Sequence, residues 1–215
     1  MTRRRRAERL IAVEGIDGSG KSTFAPALAR GLRRRGWSVA LRREPNDRAL
    51  GALAQSTSVL DPWTGGVYFT LDRWVARGAL EADLTAHDVV VTDRSFYSTL
   101  AYQGSALKTD AARRLARLQK SATIAPGRVV LLDLPPAVAL RRLGGRSNRR
   151  APLERRAILE RVSRAYRTLA RSPRWVTVDA RIPTQAAVDL VLPRLERWLG
   201  APGRRTLPRR ARRRT

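Results

Sequence analysis

The 215-residue chain has no cysteine, one histidine (His87) and, among 44 basic residues, only three lysines: Lys21, Lys108 and Lys120. Without cysteine there is no disulfide framework, no thiolate-bound zinc and no catalytic thiol. One histidine leaves no histidine metal triad and makes a Ser-His-Asp hydrolase unattractive; His87 is assigned no role. Acids are also scarce, 18 against those 44 basic residues, for a formal net charge of +26. Long apolar runs are missing, and nothing approaches the roughly 18 residues of a membrane span. Residues 10–13 form a short apolar run that Glu14 closes, well under the roughly seven to fifteen apolar residues of a secretory leader. A cytoplasmic protein is expected.

An excess of one sign points to phosphate-bearing partners. Arginine in place of lysine, with abundant Ala, Leu and Gly, equally follows from GC-rich coding. Position separates the two. Four arginines at 3–6 and seven within 201–215 read as solvated, disordered basic arms at 1–8 and 201–215, flanking a domain at 9–200. No recognition motif and no interleaved aromatics support nucleic-acid contact by these arms. The domain is long enough to bury a full core without a disulfide or structural metal.

Five short apolar runs, at 10–13, 37–41, 89–92, 129–132 and 175–178, are continuous rather than alternating, as strands covered on both faces would be. Helical spacing fills the intervals: Phe24, Leu28 and Leu32; Ile158, Val162, Ala165 and Leu169; Ala187, Val191, Leu195 and Trp198. Strands alternating with helices predict an α/β protein with a five-stranded parallel sheet and helices on both faces. Residues 144–152 break the pattern and read as a mobile loop between two helices.

After the first run comes Gly15-Ile16-Asp17-Gly18-Ser19-Gly20-Lys21-Ser22-Thr23, a G-x-x-x-x-G-K-[ST] loop. Its glycines let successive N–H groups point inward around an anion, and the helix starting near Lys21 adds its positive end. Lys21 is placed to reach the β- and γ-phosphates and Ser22 to offer its hydroxyl to Mg²⁺. The fold expected is therefore the three-layer P-loop NTP hydrolase fold, with ATP held by residues 15–23. No N-K-x-D base-reading motif of a GTPase is present, and a motor or helicase needs more chain, which leaves a small kinase. The run at 89–92 delivers Asp93 and Arg94 at its C-terminal end, the edge where open α/β sheets bind ligands. There Asp93 can hold Mg²⁺ through water and Arg94 can clamp an acceptor phosphate.

These motifs, with Arg43-Glu44-Pro45, Asp72-Arg73, Ser98-Thr99-Leu100-Ala101-Tyr102-Gln103-Gly104 and Leu132-Asp133-Leu134-Pro135-Pro136, come in the order found in thymidylate kinases. The chain resembles that family over roughly residues 9–199. The resemblance implies phosphoryl transfer from Mg·ATP to dTMP, giving dTDP, in a homodimer. It implies that Phe69 stacks on thymine, Arg73 hydrogen-bonds the base, and Ser98 and Thr99 line the base edge. Tyr102 would exclude a ribose, Asp17 would take the 3′-hydroxyl or order the metal shell, and Pro45 would wall the acceptor pocket with Gln103 nearby. Arg94 would bind the 5′-phosphate, and Arg142 would contact ATP.

Residues 141–156 carry seven arginines against Glu154, so this loop becomes an arginine-rich lid over ATP. A catalytic arginine in this family sits in the P-loop or the lid. Gly18-Ser19 contains none, so Arg146, Arg149 and Arg150 are the candidates, unranked. Three departures stand out: Asn46-Asp47 in place of Gly-Gly, Ser95 where an aromatic is usual, and a lid with little acid. The rivals are a kinase of another deoxynucleotide or nucleoside on the same fold and, from another class, a nucleic-acid-binding P-loop protein.

Overall fold

The computed structural model describes residues 8–144 and 152–202. The basic stretches at 1–7 and 203–215, and lid residues 145–151 with Arg146, Arg149 and Arg150, lie outside the described residues.

Five parallel strands form one sheet in the order β2-β3-β1-β4-β5: β1 (Leu10–Glu14), β2 (Val39–Arg43), β3 (Val89–Asp93), β4 (Arg128–Asp133) and β5 (Trp175–Asp179). Every residue of β1 and β3 is buried. Helix α1 (Lys21–Arg34) carries the chain from β1 to the edge strand β2, and all later crossovers run the other way along the sheet. Right-handed crossing therefore sends α1 to one face and the later crossover helices to the other. The C-terminal helix α8 (Thr184–Leu199) packs beside α1.

Between β2 and β3 lie α2 (Arg48–Leu60) and the long α3 (Pro62–Ala86). Each starts on an aspartate: Asp47 accepts from the Leu50 N–H, and Asp61 accepts from the N–H groups of Trp63 and Thr64 ahead of Pro62. Such caps satisfy amides that the first turn leaves free. Between β3 and β4 come α4 (Phe96–Tyr102) and α5 (Thr109–Ala122); between β4 and β5 come α6 (Pro136–Leu143) and α7 (Pro152–Leu169).

Two details differ from the sequence reading. The second strand begins at Val39, because Trp37 belongs to the cap of α1: Gly36 N–H bonds Arg33 O at 3.0 Å and Trp37 N–H bonds Leu32 O at 3.2 Å, the paired bonds of a Schellman turn. The edge strands β2 and β5 are also only partly buried, since flanking helices cover the middle of a sheet better than its margins.

The crossovers part at β1 and β3, so the switch point lies at their C-terminal ends, where ligands bind in such sheets. Val13 stands opposite Asp93, and Asp93 opposite Arg43. The P-loop and the Asp93-Arg94 pair thus leave adjacent strands at one level.

Candidate active site

The loop from β1 to α1 is wound tightly against its neighbours. Gly15 (φ 149°) and Gly18 (φ 83°) adopt conformations that L side chains rarely take. A Cβ on Gly15 would lie 2.7 Å from the Leu132 carbonyl, and one on Gly18 would lie 3.0 Å from that of Ala139. Within the loop, the buried Lys21 Nζ donates to the carbonyls of Gly15 (2.8 Å) and Ile16 (2.9 Å). Burial and the positive charge of Arg94 push its pKa well below 10.5, an environment that an anion would favour. Arg142 donates to Gly18 O at 3.3 Å and Ala180 O at 3.0 Å, joining α6 to the P-loop and to the turn after β5.

Asp93 faces the loop from the end of β3. Its Oδ2 accepts from the Ser22 hydroxyl at 2.8 Å and lies 4.0 Å from Arg43 Nε, while its buried Oδ1 has no partner among the described residues. A free carboxylate oxygen beside a hydroxyl is the oxygen-only chemistry Mg²⁺ takes when phosphates and water complete its shell. Among the described residues no cluster of three or more acids, histidines or cysteines could hold a metal alone.

Arg94 is the one non-glycine among the described residues with positive φ, 76°. This turn aims its guanidinium back at the P-loop, where it ion-pairs with Asp17. It also donates to Ser98 Oγ at 3.2 Å and lies 5.7 Å from the centre of the Tyr102 ring. Burial raises the Asp17 pKa, but Arg94 and Lys21 outweigh it and hold the carboxyl below its ordinary value. The Asp17 N–H in turn donates to the Tyr102 hydroxyl at 2.9 Å.

A second cluster is built around Arg73, buried on α3. Its Nε donates to Glu44 at 2.7 Å, Nη1 to Thr99 Oγ1 at 2.9 Å and Gln119 Oε1 at 3.1 Å, and Nη2 to the Ser95 carbonyl at 3.1 Å. Four of five guanidinium N–H groups are committed to the protein, and one on Nη2 has no partner among the described residues. Phe69 lies one turn earlier on α3, half-buried.

Ser98 and Thr99, expected together at the base edge, are separated: Thr99 supports Arg73 and Ser98 supports Arg94. Consecutive helical residues point about 100° apart. Gln103 donates to Ser58 Oγ at 3.1 Å, fastening α4 to α2. Pro45 packs against Gly51 of α2.

Four residues to which the sequence alone assigns no role organise this site. Buried Asp72 accepts from Asn46 N (2.9 Å), Asn46 Nδ2 (3.0 Å) and Asp47 N (2.7 Å), which is how the loop after Pro45 is held without the Gly-Gly pair. Gln119 braces Arg73. Glu14 and Tyr166 are buried beneath Arg94 and hydrogen-bonded to each other at 2.8 Å. The available signal was an acid closing an otherwise apolar strand, Leu-Ile-Ala-Val-Glu.

A P-loop that faces a strand-end aspartate and an arginine, beside a second cluster built on a buried arginine, defines a P-loop nucleotide kinase of the α/β class. The particular family follows from comparison with known proteins. A family model described as Thymidylate kinase matches residues 13–191. The chain is 38% identical over 177 residues to the probable thymidylate kinase of Methanothermobacter thermautotrophicus, covering 79% of this chain and 85% of that protein. It is 34% identical over 192 residues to the probable thymidylate kinase of Archaeoglobus fulgidus, covering 88% and 96%. To the thymidylate kinase of Desulfovibrio desulfuricans it is 36% identical over 219 residues, covering 90% and 98%. The chain belongs to the thymidylate kinase family, and it is a nucleoside monophosphate kinase. No helix among its described residues is long and apolar enough to cross a membrane.

Proposed function

We propose that this kinase transfers the γ-phosphoryl group of Mg·ATP to dTMP, giving dTDP and ADP, in the cytoplasm. The observation that carries the reading is the contact of Asp93-Arg94 with the P-loop, through Ser22 at 2.8 Å and through Asp17. It supports a reading in which a donor-phosphate site and an acceptor-phosphate site lie side by side.

Catalysis of phosphoryl transfer is mostly positioning and charge neutralisation. Residues 15–23 would wrap the donor phosphates, with Lys21 Nζ moving from the loop carbonyls to phosphate oxygens and Arg142 at the loop's outer side. Ser22 and Asp93 would hold Mg²⁺, which when bound spreads the charge of the phosphate oxygens. Arg94 would hold the 5′-phosphate, Tyr102 and Asp17 would bracket the sugar, and Arg73 would offer its free Nη2–H to the base, with Phe69 against the ring. Pro45 would close the pocket wall, and Gln103 would fix it through Ser58. One of Arg146, Arg149 and Arg150 would complete the charge shell, since the P-loop carries no arginine. A coupled assay across dTMP, dUMP, dCMP, dGMP and ribo-TMP tests this; any acceptor preferred over dTMP overturns it.

A homodimer belongs to the same reading. Along α3, Leu71, Trp74 and Val75 form an apolar stripe, with Trp74 65% and Val75 69% exposed, a concentration typical of protein interfaces. Sedimentation of wild type and Trp74→Lys checks it: a dimer that the substitution splits is expected.

A further inference from the structure

Arg94 is held in a left-handed conformation at φ 76°, which a non-glycine residue keeps only when its surroundings impose it. Something must enforce it, and the enforcement comes from beneath. Glu14, fully buried at the end of β1, accepts four hydrogen bonds. Oε1 takes the Ser95 N–H (2.8 Å) and the Ser95 hydroxyl (2.7 Å); Oε2 takes the Ser98 hydroxyl (2.7 Å) and the Tyr166 hydroxyl (2.8 Å). Two of these bear directly on Arg94. The Ser95 amide is the next N–H in the chain, so binding it fixes the turn. Ser98 gives its hydrogen to Glu14, which turns an oxygen lone pair toward Arg94 Nη1, 3.2 Å away. Tyr166 comes from α7, with its hydroxyl 3.0 Å from that of Ser98, and so ties that helix to the same point.

We infer that Glu14 and Tyr166 are positioning residues for the acceptor-phosphate arginine: they set both the backbone and the guanidinium of Arg94 without touching substrate. This rests on the proposed role of Arg94. A merely structural role would predict equal effects on every ligand. A positioning role predicts an effect centred on the acceptor's phosphate, since neither Arg73 nor Tyr102 hydrogen-bonds to Glu14 or Tyr166. Of the residues bonded to Glu14, Arg73 meets only Ser95, through its carbonyl, and Tyr102 meets the Tyr166 ring edge-on at 6.4 Å between centroids.

The test is competition binding of dTMP and of thymidine, which lacks the phosphate, to wild type, Arg94→Ala, Glu14→Gln and Tyr166→Phe, with steady-state KM for ATP. Glu14→Gln keeps the shape of the side chain, and its amide can donate to the Ser98 and Tyr166 hydroxyls. Tyr166→Phe keeps the ring and removes one donor, and serves if the first variant folds poorly. Both should weaken dTMP of order tenfold, the scale of one charge-assisted hydrogen bond, with thymidine and the ATP KM changed less than about twofold. Equal losses for dTMP and thymidine, or no loss for either, overturn the inference. If Arg94→Ala itself fails to separate dTMP from thymidine, the role of Arg94 falls instead, and the inference with it.

Discussion

Replacing Asp72 by asparagine changes one atom and should cost both stability and acceptor affinity. Asp72 is 1% exposed and accepts three hydrogen bonds, two from Asn46 on Oδ2 and one from the Asp47 N–H on Oδ1. Asparagine has a single side-chain oxygen. Its best orientation keeps both Asn46 bonds and turns an NH₂ group toward the Asp47 N–H, which was held at 2.7 Å. The loss is a charge-assisted hydrogen bond, about 1.5–3 kcal/mol, plus a donor-donor contact that the loop must open to relieve. At about 2–4 °C per kcal/mol for a chain of this size, Tm should fall by roughly 4–10 °C. The loop continues from Glu44-Pro45, the proposed acceptor wall, while the P-loop follows another strand. KM for dTMP should therefore rise of order tenfold, with KM for ATP changed less than about twofold. Differential scanning calorimetry and a coupled assay read both. Wild-type Tm together with wild-type KM for dTMP would refute the role of Asp72, and equal rises in both KM values would refute its restriction to the acceptor side.

Lys21→Ala and Asp93→Ala should each lower kcat of order 10³-fold or more, since each acts on the charge being transferred; single-turnover kinetics would show whether chemistry is the step affected. Combined replacement of Arg146, Arg149 and Arg150 should also lower kcat, and an unchanged kcat would remove the lid from the mechanism. Glu44 is pushed up from 4.5 to about 6, chiefly by burial, with Arg73 opposing. Because the folded state holds this proton more tightly than the unfolded chain, wild-type stability should fall as pH rises from 4.5 through 6, by about 2 kcal/mol. Glu44→Gln should lack that component, so chemical denaturation at pH 4.5 and 7 should show the variant gaining on wild type by this amount. A constant difference between the two proteins would contradict it.

Much of the fold was legible because its signals are local. Continuous apolar runs, helical spacing and the glycine spacing of residues 15–20 each follow from neighbours in the chain, so strands, helices and P-loop could be placed in order. Strand boundaries were less secure where a cap competed with an apolar run, as at Trp37. Where a motif carries its own chemistry, as with Lys21, Ser22, Asp93 and Arg94, the sequence singled out residues that the fold brings together. The site was not legible where a residue acts through a partner far along the chain. Glu14 meets Tyr166 across 152 positions, and Arg73 meets Gln119 across 46. Nothing in the spacing of either pair announces the contact.

The scarcities of the sequence narrowed the chemistry to lysine, arginine, carboxylates and hydroxyls, and the glycine-rich loop at 15–23 directed those groups to phosphate. What the tertiary structure decided was how those groups are divided. Of two adjacent hydroxyls, Ser98 serves Arg94 and Thr99 serves Arg73, because a helix turns them apart. Of the acids that converge there, Asp93 gives one oxygen to Ser22 of the P-loop and keeps the other without a partner among the described residues, while Glu14 spends both of its oxygens on holding Arg94. Side chains of one type receive different duties from the neighbours that packing supplies, and packing is a property of the folded chain.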